Sequence, residues 1–304
     1  MAIPEKQLQT WSNQGAVQTS ANTHKSVTNC IDKVNWDKDV NYETYLQGSY
    51  PNFTNIYGNS DVDLVVEFRS IFSKNLSALT ESQKQEFDTK YADAKYTLAA
   101  FKLAVFEQLK SCFGESNVKV GNKAILVKGD ENRLDCDVIV CNPFRKYISY
   151  LPSSEKYIEG IIFRTENETP NRDIINYPKI HLKNGSLKNQ QENTSGNFKP
   201  SVRVLKNMKA AMIDKGYITK TLAPSYFLEC LIYNSDNINF RKNSFSEIVV
   251  SIINQFSNDV NNGKMANYLV QNEQSKLFGT NDQQWNIDDA TIFINQLIKF
   301  WNEY

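Results

Sequence analysis

The sequence predicts an α+β fold, with strands in its first half and helices in its second. Two observations predict it. Apolar, β-branched runs at Asp61 to Phe68, Val118 to Val127 and Arg133 to Val140 all fall in the first half of the 304-residue chain,. Apolar stripes at helical spacing fill the C-terminal third: Phe245, Ile248, Val249, Ile252, Ile253 and Phe256, then Ala290, Phe293, Ile294, Leu297, Ile298 and Trp301,. Between the halves, from Phe163 to Asn171, the composition shifts to Thr, Glu, Asn and Pro. A boundary there gives domains at 1–165 and 166–304.

In order, Val27, Cys30, Ile31 and Val34 make a weak helical stripe within Ser26 to Val40,. Leu46 to Tyr50 leads into a polar loop. Its Pro51, Asn52, Asn55, Gly58, Asn59 and Ser60 favour irregular turns,. The strand Asp61 to Phe68 follows. Ser70 to Ser82 fits neither period. Phe87 to Leu109 reads as one helix through Tyr91, Ala94, Leu98, Phe101, Val105, Phe106 and Leu109, ended by Gly114,. Val118 to Val120 and Ala124 to Val127 flank a Gly121-Asn122 turn,. Asp173 to Lys199 reads as a long polar loop, of the kind that is functional or mobile,. His181 in it has no acidic or Cys neighbour in sequence and is expected at the surface or in a hydrogen bond. Pro200 to Asp214 is a helix, apolar at Leu205, Met208 and Met212 and basic at Arg203, Lys206 and Lys209. Pro224 then opens another helix, with Ser225 in its first turn,.

Composition narrows the function classes. Acidic and basic residues balance at 34 each, so no net field draws the chain to a polynucleotide or an anionic membrane,. No apolar run approaches the ~20 residues of a membrane span. The N-terminal stretch is polar, so no secretory leader is expected. Five scattered cysteines suit a reducing cytoplasm,. They include no Cys-x-x-Cys, which argues against structural zinc. With two histidines in the chain, a Ser-His triad has almost no raw material,.

The chemistry-bearing residues cluster around one stretch. Alternation puts Asp61 and Asp63 on one face of their strand. Two carboxylates so placed repel unless a cation sits between them, and hard oxygen ligands suit Mg²⁺ or Mn²⁺. Asp135 and Asp137 share one face of the later strand, where a buried carboxylate is costly without counter-charge. Gly48-Ser49 offers backbone N–H groups and a hydroxyl that allow close approach to phosphate. Ser225 sits where a helix N-terminus favours phosphate. Tyr226 offers a ring for a nucleobase, a contact worth ~1–3 kcal/mol in single-strand binders. Each piece alone has an ordinary structural explanation, as a turn, a solvated basic face, an N-cap or a core ring.

Together, Leu46-Gln47-Gly48-Ser49-Tyr50 followed by Thr54 to Val66 resembles the Gly-Ser … Asp-x-Asp signature of nucleotidyltransferases. More closely, the stretch resembles the bacterial CD-NTases, relatives of cyclic GMP–AMP synthase and oligoadenylate synthase. The resemblance implies a polymerase beta-like mixed sheet core with helices, plus a C-terminal helical domain that binds nucleotide. It implies Asp61, Asp63 and Asp137 as catalytic metal ligands for two Mg²⁺ or Mn²⁺ ions, favouring Asp137 over Asp135. It places Gly48, Ser49 and Ser225 on phosphate together with a lysine, Lys206 first and Lys209 second, and Tyr226 on the base. The implied activity makes a cyclic di- or trinucleotide from ATP, GTP or pyrimidine triphosphates, an alarm signal in anti-phage defence that switches on an effector protein. The implied partners include neither membrane nor an obligatory nucleic acid. Linear oligonucleotide synthesis, RNA extension and nucleotide sensing without turnover are the competing expectations.

Overall fold

The computed structural model describes residues 3–15, 17–58, 61–91 and 96–304. Asn59, Ser60 and Ala94, which figure in the expectations above, lie outside them. The chain divides into two compact units, and neither is continuous in sequence. One comprises Val17–Gln47 and Asp61–Pro178; the other comprises Met1–Ala16, Gly48–Ser60 and Lys179–Tyr304. The second boundary therefore falls at Pro178, beyond the composition shift, and two earlier segments join the helical unit.

The first unit is a mixed sheet with helices. Its described elements are α1's successor in sequence, α2 (Gln18–Ile31), then β1 (Tyr42–Gln47), β2 (Val62–Phe68), β3 (Ser73–Asn75), α3 (Glu81–Lys90) and α4 (Leu98–Phe113); α1 itself (Glu5–Trp11) belongs to the other unit. β4 (Val118–Val120), β5 (Ile125–Val127), β6 (Cys136–Leu151), β7 (Ser154–Arg164) and β8 (Asp173–Asn176) complete it. The strand order is β1-β2-β6-β5-β4, and the far half of β6 pairs with β3 and β7 while β8 extends β7. β2 and β6 run parallel; β1 pairs antiparallel with β2. β2 is buried on both faces, so it reads as a near-continuous apolar run,. Phe68 on one face stacks on Phe101 of α4, with ring centroids 4.6 Å apart. On the other, Val65, Ile139, Cys141, Ile161 and Phe163 form a core.

Three expectations are corrected here. The helix expected over Phe87 to Leu109 is two helices: α3 ends at Lys90, Tyr91 is extended, and α4 starts after the N-cap Thr97, whose side chain accepts from Ala100 N. Gly114 does end α4, at φ +88°. The N-terminal helix lies eight residues earlier than expected, at Gln18 rather than Ser26. Cys30 and Cys112 form a disulfide between α2 and α4, leaving Cys136, Cys141 and Cys230 as thiols.

The second unit is helical. After α1 come α5 (Pro178–Lys188), α6 (Gln191–Thr194), α7 (Phe198–Asp214), α8 (Ser225–Tyr233), α9 (Phe245–Asn261) and α10 (Ile287–Glu303). The polar loop expected from Asp173 to Lys199 is therefore replaced by β8, α5, α6 and the start of α7. α5 carries Gly185 because a Cβ there would collide with the Gln271 side chain,. The predicted stripes of α9 and α10 meet Val202, Leu205, Met208 and Met212 of α7 and Phe227, Leu228 and Leu231 of α8 in one core. Phe300 is fully buried there, whereas Ile298 and Trp301 of the expected stripe are half-buried. Glu5 of α1 accepts from the N–H groups of Phe245 and Ser246 at 2.9 and 2.8 Å, capping α9,.

Candidate active site

The carboxylates occupy the entry ends of two adjacent strands. Asp63 in β2 and Asp137 in β6 face each other in register across the parallel pair. Their side chains therefore project from the same face of the sheet. Asp61 adjoins β2, held there as Val62 N donates to the Asp135 carbonyl at 3.0 Å. Burial first, then the charges of Asp61 and Asp135, push the Asp137 carboxyl above its ordinary range. Burial, then Asp63 and Asp137, push the neighbouring Cys136 thiol up to about 12,. Among the described residues, no lysine or arginine pairs with Asp61 or Asp137.

Asp135 points elsewhere. Its Oδ1 accepts from Gly129 N at 2.7 Å, which fastens the turn between β5 and β6. Asp63 and Asp137 are thus in register, Asp61 acts on Asp137 through its charge, and Asp135 is engaged in the loop. Among the described residues, no three His, Cys, Asp or Glu side chains form a ready-made metal cage. The donor chemistry, all hard carboxylate oxygen with no compensating basic side chain on Asp61 or Asp137, fits Mg²⁺ or Mn²⁺.

The phosphate-type residues lie in the helical unit. Gly48 adopts φ +74°, the left-handed conformation that favours glycine,. Asn52 Nδ2 donates to the Gly48 carbonyl at 2.6 Å, and Thr54 N to the Ser49 carbonyl at 2.9 Å. These bonds make the segment a fixed turn. Pro224 takes the N-cap position of α8 rather than its first turn, and Ser225 is its first helical residue, exposed. Tyr226 is 37% exposed, and its hydroxyl accepts from Asn272 Nδ2 at 3.4 Å. Burial of that hydroxyl raises its pKa well above the usual value.

The two lysines separate. Lys206 is buried; its Nζ donates to Glu229 Oε1 and to the Thr54 carbonyl, the latter at 3.1 Å. Lys209, one turn along, is half-buried with no hydrogen-bond or ion-pair partner among the described residues. Burial, then the charges of Lys206 and Lys220, lower its pKa. An ammonium so placed favours an arriving anion.

Two residues of this site escaped the sequence reading. His181 is buried, not at the surface, and does have an acidic neighbour: its Nε2 lies 3.3 Å from Glu229 Oε2. Glu229 also accepts from Thr54 Oγ1 at 2.7 Å. Burial opposes ionisation of Glu229, but the Lys206 charge and the His181 bond prevail and hold its carboxyl at about 2. A lone glutamate inside the apolar run Ser225 to Tyr233 was the available signal, the same one that drew attention to Asp135 and Asp137,.

Comparison with known proteins identifies the family. Residues 183–302 match the cGAS/DncV-like nucleotidyltransferase C-terminal helical domain. The cyclic nucleotide synthase CdnE01 of Staphylococcus haemolyticus is 38% identical over the full length of both chains. The cyclic UMP-AMP synthase of Rhodothermus marinus is 39% identical, covering 99% of this chain and 98% of its own. The solved structure of the Rhodothermus marinus CdnE synthase with Apcpp and Upnpp superposes with a TM-score of 0.86, covering 99% of this chain and 97% of that one. The cyclic dipurine nucleotide synthase of Elizabethkingia meningoseptica is 32% identical over 99% of this chain and 98% of its own. The α+β nucleotidyltransferase fold and the helical C-terminal domain are therefore as the sequence led one to expect, and the chain belongs to the cGAS/DncV-like nucleotidyltransferases, the enzyme family of the bacterial cyclic nucleotide synthases.

Proposed function

We propose that this enzyme joins two nucleoside triphosphates into a cyclic dinucleotide. In each of two rounds a ribose hydroxyl oxygen bonds to an α-phosphorus, the bond to pyrophosphate breaks, and the hydroxyl proton is lost. The observation that carries this reading is likeness over essentially the whole chain to relatives named as cyclic nucleotide synthases. The relatives differ in their bases, UMP with AMP in one and two purines in another, so the substrates are drawn from ATP, GTP and pyrimidine triphosphates.

Asp61, Asp63 and Asp137 would hold two Mg²⁺ or Mn²⁺ ions. When bound, such ions supply neutralisation of triphosphate charge and a more acidic attacking hydroxyl. Gly48 and Ser49 bind the β and γ phosphates through the fixed turn, and Ser225 binds at the α8 N-terminus. Lys209 supplies the positive charge on phosphate, because Lys206 is already committed to Glu229. Tyr226 stacks on the base. Positioning and charge neutralisation then carry the rate, with no covalent enzyme intermediate. In this scheme the sheet unit, Val17–Gln47 with Asp61–Pro178, is the catalytic core and the helical unit binds the nucleotide. The product serves as a second messenger of CBASS-type anti-phage defence in the cytoplasm, read by an effector protein.

Incubation with each pair of labelled triphosphates and Mg²⁺ or Mn²⁺ tests the reading. Phosphatase-resistant product with the mass of a cyclic dinucleotide is expected. Exclusively linear products would overturn cyclisation, and elongation of an RNA primer would replace it with RNA extension.

A further inference from the structure

The reaction scheme above leaves one buried histidine unused. His181 lies on α5, the helix that sequence patterning had hidden. Its ring lies nearly flat against Tyr226, with centroids 5.2 Å apart and planes at 25°. Its Nε2 is the atom facing the Glu229 carboxylate. An ionised carboxylate only accepts, so Nε2 carries a hydrogen towards it, and the ring is held in one orientation,. The His181 carbonyl accepts from Gln271 Nε2 at 2.9 Å, which fixes the backbone as well.

Glu229 in turn is held from two other elements. Lys206 of α7 and Thr54 of the loop after Gly48 both reach it. Thus one carboxylate joins the helix bearing Lys209, the loop following the Gly48-Ser49 turn, the helix bearing Ser225 and Tyr226, and the imidazole behind Tyr226. All these residues belong to the helical unit.

We infer that His181 is a positioning residue for nucleotide binding: clamped by Glu229, its ring backs Tyr226 and holds that ring ready for a base. The inference rests on the reading of Tyr226 as the base platform. It assigns His181 no contact with reacting atoms. Without the His181 ring, Tyr226 keeps only the tilted Trp285 ring, 5.8 Å away between centroids, and would have to be ordered in part by the nucleotide itself, which weakens binding,. The effect therefore falls on affinity rather than on turnover at saturation.

The pair His181→Phe and His181→Leu isolates the ring. Both lose the hydrogen bond to Glu229; only phenylalanine keeps a flat face for Tyr226. Kd values for nonhydrolysable ATP, GTP and UTP analogues, measured by calorimetry, together with KM and kcat, give the readout. For the analogue that binds at Tyr226, His181→Leu should weaken binding about 10-fold relative to His181→Phe, the scale of one aromatic contact. KM should rise in parallel, with kcat within about 2-fold. In a Tyr226→Ala background the two His181 variants should bind alike, because the ring has nothing left to back. Equal affinities in the Tyr226 background, or a difference that survives Tyr226→Ala, would overturn the inference. A wild-type chain that binds none of the three analogues would sink the nucleotide reading itself, and this inference with it.

Discussion

Replacing Asp137 by asparagine should stabilise the metal-free enzyme while abolishing its activity. Asp63 and Asp137 are in-register neighbours on parallel strands, and adjacent strands lie ~4.8 Å apart. Two unit charges at ~5 Å repel by about 1–3 kcal/mol for effective dielectric constants between 80 and 20. Asp137→Asn removes that repulsion, together with the cost of burying the charge and the repulsion from Asp61 and Asp135, at nearly constant volume. Near 2–4 °C per kcal/mol for a protein of this size, Tm in EDTA should rise by about 2–12 °C. The sign should reverse on adding Mg²⁺ or Mn²⁺. A divalent ion at about 100 times its Kd adds about 2.7 kcal/mol to the wild type, and the variant should gain little of it. Thermal melts of both proteins with EDTA and with Mg²⁺, alongside dinucleotide synthesis, make the assay. Turnover should fall at least 100-fold, since even outer partners of metal ligands cost 10–100-fold. A variant less stable than wild type in EDTA, or equal Mg²⁺ stabilisation of both, would refute the reasoning.

Further outcomes are expected. Lys206→Met should cost about 3–5 kcal/mol of stability, because it strands the buried Glu229 charge,; Lys209→Ala should leave Tm unchanged and raise the nucleotide KM about 10–100-fold, the worth of one charge-assisted bond. Swapped effects in melts and kinetics would return the phosphate role to Lys206. Glu229 is held at about 2 against an ordinary 4.5, so its contribution, about 3 kcal/mol, is complete above pH 4.5 and is lost as pH falls towards 2. Denaturant melts between pH 6 and 3 should show the decline, and Glu229→Gln should flatten that part of it. Titration of the denatured, unreduced protein should count three thiols, from Cys136, Cys141 and Cys230; five would refute the Cys30–Cys112 bond.

What was legible in the sequence was local. Asp61 and Asp63 sit two apart before a β run, and alternation alone puts them on one face. α9 and α10 were readable because their stripes face a large apolar core. α5 was not, because its buried positions are His181 and Gly185. A helix that buries an imidazole and a glycine against Gln271 shows no apolar period. The break between α3 and α4 was hidden because the stripe continued across it at Tyr91. The joining of the Gly48–Ser60 loop to the helical unit had no local signature either. It depends on Thr54 meeting Glu229 and Lys206, more than 150 positions away.

Asp137 and Glu229 are two buried or half-buried carboxylates in apolar runs, and patterning treats them alike. Their surroundings shift them in opposite directions. Glu229 has a lysine, a histidine and a threonine about it, and its carboxyl is driven down; its charge is satisfied within the protein and holds four segments together. Asp137 is driven up by its burial first and then by the charges of Asp61 and Asp135; its charge is unsatisfied by any basic side chain among the described residues. A fold under selection for stability alone would exchange such a group for an apolar one. Its retention beside Asp61 and Asp63 is consistent with a positive ligand arriving from outside the chain. The direction of the shift, rather than burial or residue type, thus distinguishes the carboxylate that builds this protein from the one proposed to serve its chemistry.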